Sequence, residues 1–400
     1  MSETSQNKKH IYRLIPCPDY DIEKMESWLT DMAANGLFLS DFIFWFAVFE
    51  KGEPANVRYR LEAATKKTGF LDYDNGEPSE EVKDLTESYG WQYVTRRGQF
   101  QVYCSTSVEA RELNTDPRVQ ALALDIVRKR QRSNIIAGFL WVFVYPLILL
   151  RGKPLITAVN IGTGLTALTV LLMFWSLARA VYKGIHLRKV RKKLASGEPL
   201  NHNINWRKQV KQHRLSGATY FILLIACFAF FFSGWANESL EKNKQKIQDY
   251  SGVIPFATIS DFAPNGTHEY GKFELVNTIE TKTDWLAPTI IRYHENAFVS
   301  INSSKVIHGG LVVDYYETKA PWLARQIARE YKIPARFSSS YKKIDLPELN
   351  VDYAFAYSDV FDTVIIQHKN KIIKATFYQT SPNYTMPLNE WVKIVADSLK

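Results

Sequence analysis

Four carboxylates fall close together near the amino end: Asp19, Asp21, Glu23 and Glu26. Carboxylates so spaced can run general acid–base chemistry or hold a cation. The same acids at a helix start cap its first turn and complement its dipole, and this second reading is preferred. Trp28, Trp45 and Trp91 can line a ligand pocket, but aromatic residues at these spacings read as core. His268, His294, His308 and His368 are scattered without metal-ligand spacing. Ser338–Ser340 reads as a loop, and Gly309-Gly310 after His308 as a strand-entry turn. Gly-x-Ser-x-Gly, His-Glu-x-x-His and the phosphate-binding glycine loop are all missing. The residues therefore imply no cofactor and no metal, and the balance leans against an enzyme.

The charge that surrounds these residues is unevenly spread. Residues 1–117 carry 13 Lys+Arg and 20 Asp+Glu, residues 118–236 carry 18 and 2, and residues 237–400 carry 19 of each. The basic middle third also holds every long apolar run, so its cations read as topology signals rather than a nucleic-acid surface. Aromatic content of 14% excludes a disordered chain, and three Cys exclude a disulfide scaffold.

Three runs are long enough to cross a bilayer: Ser133–Leu150, Leu155–Ala178 and Gly217–Ala236. A helix needs about 20 apolar residues to span about 30 Å of hydrocarbon. No signal peptide is read at the amino end. Arg128, Lys129, Arg130 and Arg132 precede the first run, and ten Lys/Arg lie in 183–216. The positive-inside rule then puts residues 1–132 and 183–216 in the cytoplasm, and 151–154 and 237–400 outside. The expected location is the cell membrane, multi-pass, with a cytoplasmic amino end.

The soluble parts read as two mixed domains. In residues 1–118, IYRLIP is a strand, Ile22, Met25, Trp28, Leu29 and Met32 recur at helical spacing, and 37–50 reads as one aromatic strand. With 56–63, a helix over 80–89 and a strand or hairpin over 91–105, the order is β-α-β-β-α-β, the ferredoxin-like pattern. Residues 119–132 read as a juxtamembrane helix, 239–250 as a helical stalk, and 237–400 as an α+β domain. There, Pro321–Tyr331 and Asn389–Leu399 are helices, and strands at 363–368 and 371–377 flank a Lys369-Asn370 turn.

The stretches YRLIPCPDYDIEKMESWLTDMAANGLFLSDF, FEKGEPANVRYRLE, GWQYVTRRGQFQVYCS and ELNTDP resemble family 2812 of bacterial domains of unknown function. The resemblance covers residues 11–118. It implies a bacterial membrane protein, often encoded beside PadR-type transcriptional regulators, and brings no activity with it. The family more often has His where this chain has Asn114.

In the connector, Ile185 or Leu187, Val190 and Leu194 form an apolar stripe amid Arg188, Lys189, Arg191, Lys192 and Lys193. A cationic amphipathic segment beside a bilayer binds anionic lipid. The acidic domain can also dock on it. In the second run Asn160, Thr163, Gly164, Thr166, Ala167 and Thr169 read as a helix-packing surface inside the bundle. The function expected is a non-enzymatic signal-transducing or regulatory envelope protein. The rivals are a membrane-bound enzyme with a carboxylate or hydrolytic site, and an accessory subunit of a transporter. Expected partners are the lipid bilayer and a membrane protein, not nucleic acid.

Overall fold

A computed structural model describes residues 10–64, 77–107, 109–113, 116–144, 146, 152–239, 244–271, 277–302, 305–333, 341–380 and 384–399. The chain forms two compact units, one of residues 1–143 with 172–224, the other of residues 144–171 with 225–400. The chain changes unit three times, and each change falls inside one of the three uncharged runs.

The first unit contains β1 (His10–Leu14), α1 (Ile22–Ala34), β2 (Leu37–Ile43), β3 (Phe46–Lys51), β4 (Arg58–Ala63), α2 (Glu80–Ser88), β5 (Gln92–Arg97) and β6 (Phe100–Ser105). They make two three-stranded antiparallel sheets, ordered β1-β3-β2 and β4-β6-β5. One β-α-β-β unit is thus used twice. The two hairpins correspond residue for residue. Each follows a left-handed glycine, Gly36 (φ 77°) or Gly90 (φ 83°). Each slips register at the matching place, between Leu39 and Asp41 or between Tyr93 and Thr95. Each turns on a positive-φ residue, Phe44 (φ 49°) or Gly98 (φ 59°).

This corrects the single ferredoxin-like βαββαβ sheet. The aromatic run 37–50 is a hairpin, not one strand. Its turn falls on Phe44-Trp45, which lack the glycine or asparagine that marks such a turn. Each hairpin then closes on its own first strand. Met25, Trp28, Leu29 and Ala33 of α1 are buried against Phe49, Tyr59 and Phe100, with the Trp28 ring edge-on to Phe49 at 5.6 Å. Burying such side chains stabilises by about 1.5–3 kcal/mol each.

Three longer helices complete the layout: α3 (Pro117–Phe139), α5 (Thr163–Ala195) and α6 (Val210–Ser239), with α4 (Pro154–Ile161) lying between the first two in sequence. Asp116 accepts from the Arg118 amide and Pro117 opens α3, so the Asp-Pro pair is a helix start. Two helical stretches, Thr163–Ala195 and Val210–Ser233, are long and apolar enough to cross a membrane. Among the described residues the expected first span gives no third such stretch: they hold the end of α3 and a π-helical turn at Leu140–Val144, while residues 145 and 147–151 lie outside the described ones.

The second unit is an α+β fold on a nine-stranded antiparallel sheet. Its strands are β7 (Lys244–Lys246), β8 (Thr267–Tyr270), β9 (Thr278–Lys282), β10 (Thr289–Asn302), β11 (Lys305–Glu317), β12 (Lys342–Ile344), β13 (Tyr353–Ser358), β14 (Asp362–His368) and β15 (Lys371–Gln379). The order is β12-β13-β14-β15-β11-β10-β9-β7, with β8 also on β10. Alternating strand residues serve two cores. Ile291, Tyr315, Ile366 and Ile373 face α8 (Leu388–Asp397), while Ile290, Tyr316, Ile365 and Ile372 face α7 (Pro321–Tyr331) and α4. The stalk reading fails, because Lys244–Lys246 pairs with β9 as a strand.

The start of the second apolar run also departs from expectation. Pro154–Ile161 forms its own helix, ended at Gly162, whose φ of 111° suits glycine. Ile156 and Val159 are buried with Leu323 and Ile327 of α7. The helix of this run that is long and apolar enough to cross a membrane therefore begins at Thr163, not Leu155.

Candidate functional site

The acid cluster at the start of α1 holds another part of the chain. Asp21 is the N-cap by position, yet its side chain bonds no helix amide; it pairs with Lys24. Lys183 reaches Asp19 at 2.8 Å and Lys193 reaches Glu23 at 2.8 Å. Glu23 also accepts from the Asn201 amide at 2.7 Å. Glu26 is buried; it accepts from the Leu61 amide at 2.7 Å and meets His202 Nδ1 at 2.5 Å. Ser27 Oγ donates to the His202 carbonyl and accepts from the Ile204 amide. Asp31 accepts from the Trp206 indole at 3.0 Å and pairs with Arg207. The outward face of α1 thus clasps the connector from Lys183 to Arg207. Ion pairs that water still reaches are worth about 0–1 kcal/mol each, so the buried Glu26 is the stronger anchor.

Apolar burial backs the clasp. Leu187, Val190 and Leu194 pack into the core beneath α1, together with Ala121, Leu124 and Val127 of α3. The apolar stripe of the connector is therefore covered by protein. Gly184 lets α3 approach closely: a Cβ there meets Ile135 at 2.9 Å. Of the five cations, Lys193 is paired with Glu23 and Arg191 with Asp125, while Arg188, Lys189 and Lys192 are exposed. His186 and His213 sit in this region, and burial lowers the pKa of each; Asp21 pulls His186 the other way.

The second unit clasps its own helix starts. Both carboxylate oxygens of buried Glu330 accept from the Leu155 amide, at 3.1 and 3.0 Å, and one also accepts from Ile156 at 3.0 Å. Asp284 accepts from the Thr163 amide at 2.8 Å and from the Thr163 hydroxyl. Each acid neutralises the unpaired amides and positive dipole end of a helix, α4 or α5. Asn160 accepts from the Tyr316 hydroxyl, which accepts from Tyr331 at 2.9 Å. Asn160 and Thr163 therefore bond the sheet domain instead of a neighbouring helix. Thr169 does contact α6, at Cys227 Sγ.

A third cluster was not read from the sequence. Arg60 makes a two-pronged bond to Glu112, at 2.9 and 2.7 Å, and Arg58 joins at 3.3 Å. Both guanidinium groups lie over the buried Trp91 ring, at 5.2 and 5.6 Å. Burial alone raises the Glu112 pKa, but bonds from Arg60 and the nearby cations outweigh it, and the carboxyl lies below its ordinary range. Their spacing in sequence gives no periodic signal. The residues come from VRYRLE, GWQYV and ELNTDP, three of the recognised stretches. Asn114 lies outside the described residues.

The tryptophans divide. Trp28 and Trp91 are core, but Trp45 is 58% exposed. A cavity of about 20 Å³ lies beside Glu26 and Arg60, room for about one water. Among the described residues no three His, Cys, Asp or Glu side chains are grouped to hold a metal ion. His268 meets buried Glu295 at 3.1 Å, and Glu295 also accepts from the Ile259 amide. His308 stacks on Phe298 with centroids 3.8 Å apart. Ser338–Ser340 lies outside the described residues.

Residues 21–132 match the model of a family described as a protein of unknown function, DUF2812. The match starts at the clasp and runs through most of α3. No curated protein and no solved structure matches the chain.

Proposed function

We propose that the chain is a bacterial envelope protein that crosses the bilayer three times and transmits a state between a cytoplasmic and an external domain. One observation carries this reading: the three unit changes coincide with the three uncharged runs. The positive-inside rule groups residues 1–132 with 183–216, and 151–154 with 237–400. The same groupings recur as packing. The acids of α1 bind the basic connector, and Glu330 binds the start of α4.

In this reading the route of transmission is α5. Asp284 holds its first residue, and Asp19, Asp125 and Glu23 hold its last turns through Lys183, Arg191 and Lys193. A helix gripped at both ends can pass a shift or rotation along its axis. Arg188, Lys189 and Lys192 serve anionic lipid, each adding about 1 kcal/mol near the surface.

The test is labelling of intact cells with a membrane-impermeant maleimide. Asp345→Cys, whose side chain is fully exposed, is expected to label at once. Glu53→Cys, also exposed, is expected to label only after permeabilisation. Equal labelling of both overturns the reading.

A further inference from the structure

The tip of the β2–β3 hairpin is apolar, exposed and aimed at the first turns of the apolar part of α6. Phe44 is 92% exposed and Trp45 is 58% exposed. Leu14, Phe46 and Ile43 lie side by side across β1, β3 and β2, and all three are exposed. Large apolar side chains gathered at one loop tip mark an interaction surface.

What covers this tip is indicated by its neighbour. The Trp45 ring packs edge-on against Phe221 of α6 at 5.2 Å. Phe221 lies in the uncharged run that opens at Gly217, just past exposed Lys211 and Arg214. From Arg214 to Phe221 the helix rises about 10 Å. That is the level where charged headgroups give way to hydrocarbon, the zone that tryptophan and tyrosine favour. Tyr220, one residue earlier, carries the Arg179 guanidinium over its ring at 5.5 Å, as a snorkelling cation does at an interface.

The internal duplication supplies a comparison within the same chain. The turn of the β5–β6 hairpin is Gly98-Gln99, following Arg96 and Arg97. The fold at that turn requires positive φ, and glycine meets it without strain. The first hairpin keeps Phe44 in the same left-handed conformation, at a conformational cost. A bulky exposed aromatic in a position made for glycine points to a use outside the fold.

We propose that the Phe44-Trp45 tip inserts into the headgroup–hydrocarbon boundary of the bilayer, as a second attachment of the amino-terminal domain beside the helices. The proposal rests on the membrane reading above, and names the surface of the domain that meets lipid. Its effect is to fix the α1 clasp at a set height above the membrane.

The full chain, reconstituted in phosphatidylethanolamine–phosphatidylglycerol vesicles, tests this with the photo-crosslinker p-benzoylphenylalanine placed singly at positions 44, 51 and 228. Position 228 is in the middle of the apolar run, and position 51 is at the far end of β3. Mass spectrometry is expected to find lipid adducts at 44 and 228, with several-fold less at 51. Adducts at 228 without any at 44 overturn the insertion and leave the membrane reading standing. Coupling of position 44 to a second copy of the chain also overturns it, in favour of a protein interface. No lipid at 228 overturns both. The Phe44→Ser, Trp45→Ser double variant is the second check. It is expected to keep the melting profile of the parent in detergent, and to show a several-fold faster tryptic cleavage at Arg96 and Arg97 in vesicles. Unchanged cleavage in vesicles contradicts the proposal.

Discussion

Glu26 and His202 stand 176 positions apart in the chain and 2.5 Å apart in space. Glu26 is buried and also accepts the Leu61 amide, so it joins helix α1, strand β4 and the connector. Glu26→Ala leaves that amide and the imidazole without an acceptor, at an expected cost of about 2–4 kcal/mol. His202→Ala costs about 1–3 kcal/mol, because the carboxylate then stays buried with one bond fewer. The double variant loses less than the sum of the two. Urea unfolding of the full chain in detergent measures all three, and strict additivity contradicts the pairing.

Glu330→Ala exposes the amides of Leu155 and Ile156 to an empty site. A loss of about 1–3 kcal/mol in the second unit is expected, together with faster hydrogen exchange in Pro154–Ile161. Exchange that stays at the parent rate contradicts the cap.

Gly98 holds φ of 59°, and a Cβ there meets Asp19 Oδ2 at 2.6 Å. Gly98→Ala therefore strains the turn and moves Asp19 off Lys183. The expected loss is about 1–3 kcal/mol, read as a lower unfolding midpoint. The same substitution at Phe44, where a side chain already stands, is expected to be milder.

Acid acts on the first unit in two ranges. His186 and His213 have folded pKa values below the ordinary 6.5. The unfolded chain then binds more protons than the folded one as pH falls through 6.5, so a penalty absent above that value grows below it. Glu112 has a folded pKa below the ordinary 4.5. Its contribution is complete above 4.5 and is lost as pH falls through the lower folded value. Unfolding midpoints are expected to drop in two stages, the second missing in Glu112→Gln. A flat profile between pH 7 and 5 contradicts the histidine assignment.

The apolar runs, their flanking cations and the α1 periodicity were legible because each is a local pattern. The hairpin at Phe44-Trp45 was not, since an aromatic run masks a turn that lacks glycine. The acid cluster was visible, but its partners Lys183, Lys193 and His202 lie far along the chain. Only folding brings them to α1. Leu187 and Leu194 read as an apolar stripe, and the structure packs them under α1. Periodicity says that a face is covered, not by what. Asn160 and Thr163 looked like helix-packing residues for the same reason, and their partners Tyr316 and Asp284 lie in the sheet domain. The Arg58–Arg60–Trp91–Glu112 cluster has no spacing rule at all.

In the proposed route α5 carries a state from the grip at Asp284 to the grip at Asp19 and Glu23. Hydrogen exchange on the full chain in vesicles tests it most directly, comparing the parent with Asp284→Asn. Faster exchange is expected both near Thr163 and in the connector from Ala195 to Arg207. A change confined to residues around Thr163, with the connector at parent rates, contradicts it.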